Sequence, residues 1–138
     1  MIYQLTDIDY SFDYPITPQD LQQLFQETNW ANNRNLNDIK KMLNGSSIVI
    51  GAWSNGQLIG FARVITDNVF RALIDDVIIH PIKRGKGIGS NLVRKLIDRL
   101  TELKIEEIFL RCDQSVSVFY KKLGFEISQS TTMDLKTD

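Results

Sequence analysis

Phe70-Arg71-Ala72-Leu73-Ile74-Asp75-Asp76-Val77-Ile78-Ile79, followed after His80 by Pro81-Ile82-Lys83-Arg84-Gly85-Lys86-Gly87-Ile88-Gly89-Ser90, is the stretch on which the fold turns. Its first half carries apolar residues on both parities, the pattern of a strand covered on both faces, and Pro81 stops it. From Ile88 the period changes, because Ile88, Leu92, Val93, Leu96, Ile97 and Leu100 recur at three-and-four spacing and predict a helix. A buried strand, a glycine-rich turn and a crossover helix form the centre of an α/β unit.

The flanking sequence builds outward from that unit. Ser47 to Trp53 and Leu58 to Ile65 read as strands, and Ser54-Asn55-Gly56-Gln57 between them signals a tight antiparallel hairpin. Before them, Thr17-Pro18-Gln19-Asp20 opens a helix with Leu21, Leu24 and Phe25 inward, expected to end near Thr28. Asn35 caps a second helix, and Asn44-Gly45 is expected to stop it in left-handed geometry. Downstream, Ile105 to Cys112 reads as a strand. Ser115 to Leu123 reads as a helix with Val116, Phe119, Tyr120 and Leu123 on one stripe, and Phe125 to Ser128 with Thr131 to Leu135 as a closing pair of strands. The expected class is α/β: a mixed, mainly antiparallel central sheet flanked by helices, in one domain over 1–138.

Composition narrows the function. A chain of 138 residues, 43% hydrophobic, can bury a core without disulfide or metal staples. Sixteen Lys and Arg against seventeen Asp and Glu argue against a protein that coats nucleic acid. Apolar runs such as Ser47 to Trp53 are too short to span a membrane, and Met1-Ile2-Tyr3-Gln4 does not open an export signal. Cys112 and His80 are the only residues of their kinds, which excludes an internal disulfide and a Cys/His zinc cluster. No metal is expected, Cys112 reads as a small buried hydrophobe, and the expected home is the reducing cytoplasm.

The alternating Gly85, Gly87 and Gly89 let backbone N–H groups converge where a helix N-terminus adds free donors, which suits phosphate. Between Lys83 and Lys104, seven basic residues face two acidic ones, a local excess of +5 in a chain of net charge −1. Two familiar phosphate loops fail on spacing. A P-loop needs Gly-Lys-Ser/Thr, but Gly87 follows Lys86; a dinucleotide fold needs G-x-G-x-x-G after an early strand. Asp75 and Asp76 are conspicuous in an apolar run, and strict alternation sends them to opposite faces.

Two segments carry a family resemblance. Arg84-Gly85-Lys86-Gly87-Ile88-Gly89 matches Arg/Gln-x-x-Gly-x-Gly/Ala, and Phe119-Tyr120-Lys121-Lys122-Leu123-Gly124-Phe125 is similar to a helix ending in Phe-Tyr, two charged residues and Leu-Gly-Phe. Together they resemble the GNAT superfamily of acetyl-CoA-dependent N-acetyltransferases. The resemblance implies acetyl-CoA as cosubstrate, its diphosphate on the amides of Arg84, Gly85, Lys86, Gly87, Ile88, Gly89 and Ser90, with Lys83, Lys86 and Lys121 in reach of the outer phosphates. It implies that Val77 and Ile79 offer amides to pantetheine and the thioester carbonyl, and that Tyr120 protonates the departing thiolate. The amine's proton would go to Asp76, which resembles an acidic position before the family's Val-x-Val-x-Pro, or to Asp75, which otherwise pairs with a nearby arginine. The expected acceptor is a primary amine of a small molecule. A protein lysine or N-terminus, or a non-catalytic acyl-CoA binding module, is the alternative. A homodimer is compatible with the resemblance, and Phe25, Trp30 and Arg34 belong to the segment that would cover the acceptor groove.

Overall fold

Asn55 and Gly56 take φ of 51° and 78°, the left-handed pair that a two-residue hairpin with native strand twist requires. They close β2 (Ile48–Ser54) onto β3 (Gln57–Thr66) in the computed structural model, which describes residues 7–137. β3 pairs antiparallel with β4 (Arg71–Ile79), and a short β1 (Asp9–Ser11) pairs antiparallel with β2. β5 (Glu107–Leu110) runs parallel to β4, so the sheet order is β1-β2-β3-β4-β5 with one parallel step. That step needs a crossover, and α3 (Ile88–Glu102) supplies it. The expected mixed, mainly antiparallel sheet is the one observed.

The helices cover both faces. Ile88, Leu92, Leu96 and Leu100 of α3 pack on Ile50, Ala52, Ala62, Val64, Ala72 and Ile74. On the other face, α1 (Pro18–Phe25) and α2 (Leu36–Gly45) bury Leu21, Leu24, Phe25 and Ile39 against Leu58, Phe61 and Ile78. Part of the basic excess on α3 serves packing, since Arg99 lies 3.9 Å from the ring centre of Phe12 and Lys95 5.3 Å from that of Tyr10. Among the described residues, no helix is long and apolar enough to cross a membrane.

Four local expectations fail for local reasons. α1 stops at Phe25 because the Thr28 hydroxyl donates to the Phe25 carbonyl (2.7 Å) and accepts from the Ala31 amide (3.0 Å), turning the chain away. α2 ends without a left-handed residue, its Met42 carbonyl taken by the Ser46 hydroxyl at 2.7 Å. The final helix is split into a 3₁₀ turn at Gln114–Val116 and α4 (Ser117–Lys122), leaving Val116 exposed. The closing strands over Phe125–Ser128 and Thr131–Leu135 are not formed. Their connection has no residue suited to positive φ, Ser128 instead takes the Ser130 amide at 3.0 Å, and β5 offers an edge of only four residues.

Candidate active site

The site begins with one extra residue in β4. Arg63 is opposite Asp75 and Phe61 opposite Ile78, so three steps on β4 match two on β3, and Asp76 takes φ of 53°. This bulge exchanges the faces of the strand: Ala72 and Ile74 belong to the α3 side, whereas Ile78 belongs to the α1–α2 side. Asp is among the few residues that adopt left-handed backbone at modest cost. The opposite-face expectation for Asp75 and Asp76 is therefore corrected. Both carboxylates turn to the same guanidinium, Arg63 donating from Nη2 to Asp75 at 3.0 Å and from Nε to Asp76 at 2.7 Å.

Their environments differ. The Asp76 side chain is 2% exposed, and its Oδ2 also accepts from Arg34 Nη1 at 2.9 Å. The Asp75 side chain is 40% exposed and has Arg63 as its one ionic partner among the described residues. The expected arginine partner of Asp75 is Arg63, whereas the contacts of Asp76 with Arg63 and Arg34 had no signal in the sequence spacing.

Beyond the bulge, β4 parts from β5, because their pairing ends at Ile74 and Leu110. The His80 amide donates to the Ile59 carbonyl on β3 (2.8 Å), so by alternation the amides of Ile79 and Val77 point to the side from which β5 has diverged. The strand end is braced there by Arg84, whose Nε donates to the Ile79 carbonyl at 3.1 Å.

The glycine loop continues this edge. Gly85 (φ 79°) and Gly87 (φ 80°) are both left-handed, and Gly87 precedes α3 with no side-chain cap. The first bond back into the helix is from the Asn91 amide to the Gly87 carbonyl (3.1 Å). Six consecutive amides, from Gly85 through Ser90, thus have no acceptor among the described residues. Arg84 departs from the expectation: its own amide donates to the Pro81 carbonyl at 3.3 Å, so it braces the loop rather than offering a donor. A Cβ at Gly89 would lie 3.4 Å from both Ile79 and Phe119, which shows how closely α3 enters over the strand end.

Tyr120 closes the other wall. It is 9% exposed on α4, with its ring edge-on to Phe119 (4.9 Å) and Phe125 (5.8 Å). Burial, with smaller contributions from Cys112 and Asp75, pushes its phenol up to about 12, so it holds its proton at neutral pH. Tyr120 lines a cleft of about 1410 Å³ together with Asp75, Asp76, Val77, Cys112 and Trp30. Cys112 corrects the expectation of a buried hydrophobe, being exposed because β5 ends at Leu110. Lys86 and Lys121 are exposed beside the site and Lys83 is half-buried. Among the described residues, no group of three or more His, Cys, Asp or Glu could hold a metal ion.

These parts can hold an anion on backbone donors, present two amides to a carbonyl oxygen, and place a carboxylate and a neutral phenol in one cleft. Comparison with known proteins agrees with that chemistry. The Acetyltransferase (GNAT) family matches residues 1–125. An uncharacterized N-acetyltransferase, ycf52, of Pyropia yezoensis is 39% identical over 126 residues, covering 88% of this chain and 72% of that protein. A histone acetyltransferase, TAP1, of Glycine max is 35% identical over 88% of this chain, which spans 57% of it. In fold, a GNAT-family acetyltransferase from Streptococcus pneumoniae superposes with a TM-score of 0.82 at 22% identity, over 95% of this chain and 98% of that one. With the glycine loop, the parted strands and the Phe-Tyr helix all in place, the chain belongs to the GNAT family of acetyltransferases.

Proposed function

We propose that the chain transfers an acetyl group from acetyl-CoA directly to a primary amine of a small molecule. The observation that carries this reading is a track of free backbone donors in two parts, Val77 and Ile79 at the parted edge and the six amides of Gly85–Ser90 beyond the bonded turn at 80–84. The track suits an extended acyl thioester whose far end is a diphosphate. The Val77 and Ile79 amides aim at the thioester carbonyl, where a positioned donor contributes up to about 3 kcal/mol as negative charge develops on oxygen. Asp75, the more exposed of the two acids, takes a proton from the incoming ammonium. The freed nitrogen pair attacks the carbonyl carbon, the C–S bond breaks, and the Tyr120 hydroxyl gives its proton to the leaving thiolate. The second proton on the acylated nitrogen passes through solvent to the phenolate, which restores Tyr120, and Asp75 gives its own proton to solvent. No intermediate on Cys112 is needed, and this free thiol fits the reducing cytoplasm.

A protein lysine or N-terminal amine is the second reading, favoured by the name of the soybean relative. The deciding experiment follows release of free CoA over a panel of glucosamine, putrescine, Nα-acetyl-lysine amide and an Ala-Ala peptide. The small amines are expected to react faster. Turnover confined to the lysine and peptide substrates moves the assignment to the second reading, and no turnover with any amine refutes both. In a melt, acetyl-CoA at a hundredfold excess over Kd is expected to stabilise the fold by about 2.7 kcal/mol, with NAD and ATP doing less. A larger shift with NAD than with acetyl-CoA would mean that the loop binds a different nucleotide.

Asp75→Asn removes the proton acceptor without touching the loop. Turnover is expected to fall about 10²-fold or more with acetyl-CoA affinity unchanged. Wild-type turnover in this variant would pass the role to ordered water.

A further inference from the structure

Arg34 lies in the segment between α1 and α2, one residue before the Asn35 cap of α2, and its guanidinium reaches the bulge of β4. Nη1 donates to Asp76 Oδ2 at 2.9 Å, on the same oxygen that takes Arg63 Nε at 2.7 Å. The guanidinium carbon also lies 4.8 Å from the ring centre of Phe25 and 5.6 Å from that of Trp30. The Arg34 carbonyl is tied back to α1 by Gln22 Nε2 at 3.2 Å. One side chain therefore joins three things: the helix that covers the sheet, the indole that lines the cleft, and the left-handed residue that re-aims the strand.

A buried carboxylate needs a counter-charge, and Arg63, a sheet neighbour, already provides one to Asp76 while sharing it with Asp75. The second guanidinium comes from outside the sheet, 42 residues away in sequence. Its consequence is mechanical: the covering segment and the bulge cannot move independently. If Asp76 relaxes, Arg63 is free to follow Asp75, and the amides of Val77 and Ile79, one and three residues past the bulge, lose their fixed direction.

We propose that Arg34 is a positioning residue for the transfer reaction, acting through Asp76 to fix both the Val77–Ile79 amide edge and the Trp30 wall on the acceptor side. In this division of labour Asp76 positions and Asp75 accepts the proton. The proposal rests on the reading that the cleft transfers acetyl to an amine.

The test is a cycle of Arg34→Ala, Asp76→Asn and the double variant, assayed with whichever panel amine releases CoA fastest in the wild type. Arg34→Ala is expected to lower kcat about 10²-fold, the scale of a misplacement near 1 Å, and to raise the acceptor KM. Acetyl-CoA affinity by calorimetry should stay within about tenfold, because the diphosphate donors lie in a separate segment. The double variant should lose no more than about threefold beyond the worse single variant, since both cut one linkage. Arg34→Lys, which keeps the charge and folds more safely, should recover part of the turnover. In ¹⁵N spectra of the wild type and of Arg34→Lys, the Val77 and Ile79 amides and the Trp30 indole should shift while Gly85–Ser90 hold. Additive losses in the cycle, a lower Tm with unchanged kinetics, or unmoved Val77 and Ile79 resonances overturn the proposal. If the wild type acetylates no amine, the reaction reading falls by itself, and the spectra still decide whether Arg34 holds the amide edge.

Discussion

Tyr120→Phe is expected to lower turnover about 10²–10⁴-fold while leaving acetyl-CoA affinity and Tm close to wild type, provided the chemical step is rate-limiting. The substitution removes one oxygen and keeps the ring between Phe119 and Phe125. The hydroxyl makes no hydrogen bond to any described residue, so its loss leaves no buried partner unsatisfied. Its proton is retained because burial first, then Cys112 and Asp75, push the phenol from 10.0 up to about 12. The sign of the linked stability follows. Below pH 10 the phenol is neutral in both folded and unfolded chains and contributes no pH dependence. Between pH 10 and about 12 the unfolded chain ionises first, so stability falls as pH rises through that window, by at most about 1.4 kcal/mol per unit. The Phe variant should lack this part of the alkaline loss. Stopped assays at pH 8 and melts from pH 9 to 11.5 measure both effects. Full turnover in the variant would falsify the general-acid role and leave solvent to protonate the thiolate.

What the sequence disclosed, and what it withheld, divides along one physical line. Periodicity and turn chemistry are local, so the buried strand at Phe70–Ile79, the Asn55-Gly56 hairpin and the crossover helix from Ile88 could be read directly. The glycine loop was legible for the same reason: left-handed φ at Gly85 and Gly87 leaves its mark as glycine. The bulge at Asp76 left almost none. A β-bulge is set by register against a neighbouring strand, and Asp in left-handed geometry looks in sequence like any other acid. Alternation therefore sent Asp75 and Asp76 to opposite faces, and the Arg34–Asp76–Arg63 cluster, which spans segments 42 and 13 residues apart, could not be assembled. Residues past Phe125 misled in the opposite way. Ile127, Met133 and Leu135 carry strand-like patterning, yet they are 72%, 87% and 88% exposed because a strand needs an edge and a turn, not only a pattern.

Gly87→Asp should weaken acetyl-CoA binding about 10²-fold or more with the fold intact, and the reasons for the two halves are separate. The fold should hold because a Cβ at this position meets nothing within 4 Å. Asp bears φ near 80° better than most residues, at about 1–2 kcal/mol, and a negative charge beside the start of α3 returns part of that. Binding should fail because the same charge sits among the six amides of Gly85–Ser90, where the diphosphate oxygens are expected. Two like charges about 4 Å apart at an effective dielectric of 20 repel by about 4 kcal/mol, and solvent at this exposed loop reduces that to the 10²-fold scale. Gly87→Ala separates strain from charge: it pays the left-handed penalty without the carboxylate and should weaken binding by less than about tenfold. Calorimetry with CoA at low and high salt completes the argument, because the Asp variant should recover affinity as repulsion is screened whereas the Ala variant should not. Equal losses in the two variants at every salt concentration would make backbone strain the cause, and wild-type affinity in a folded Asp variant would remove the glycine loop from the site.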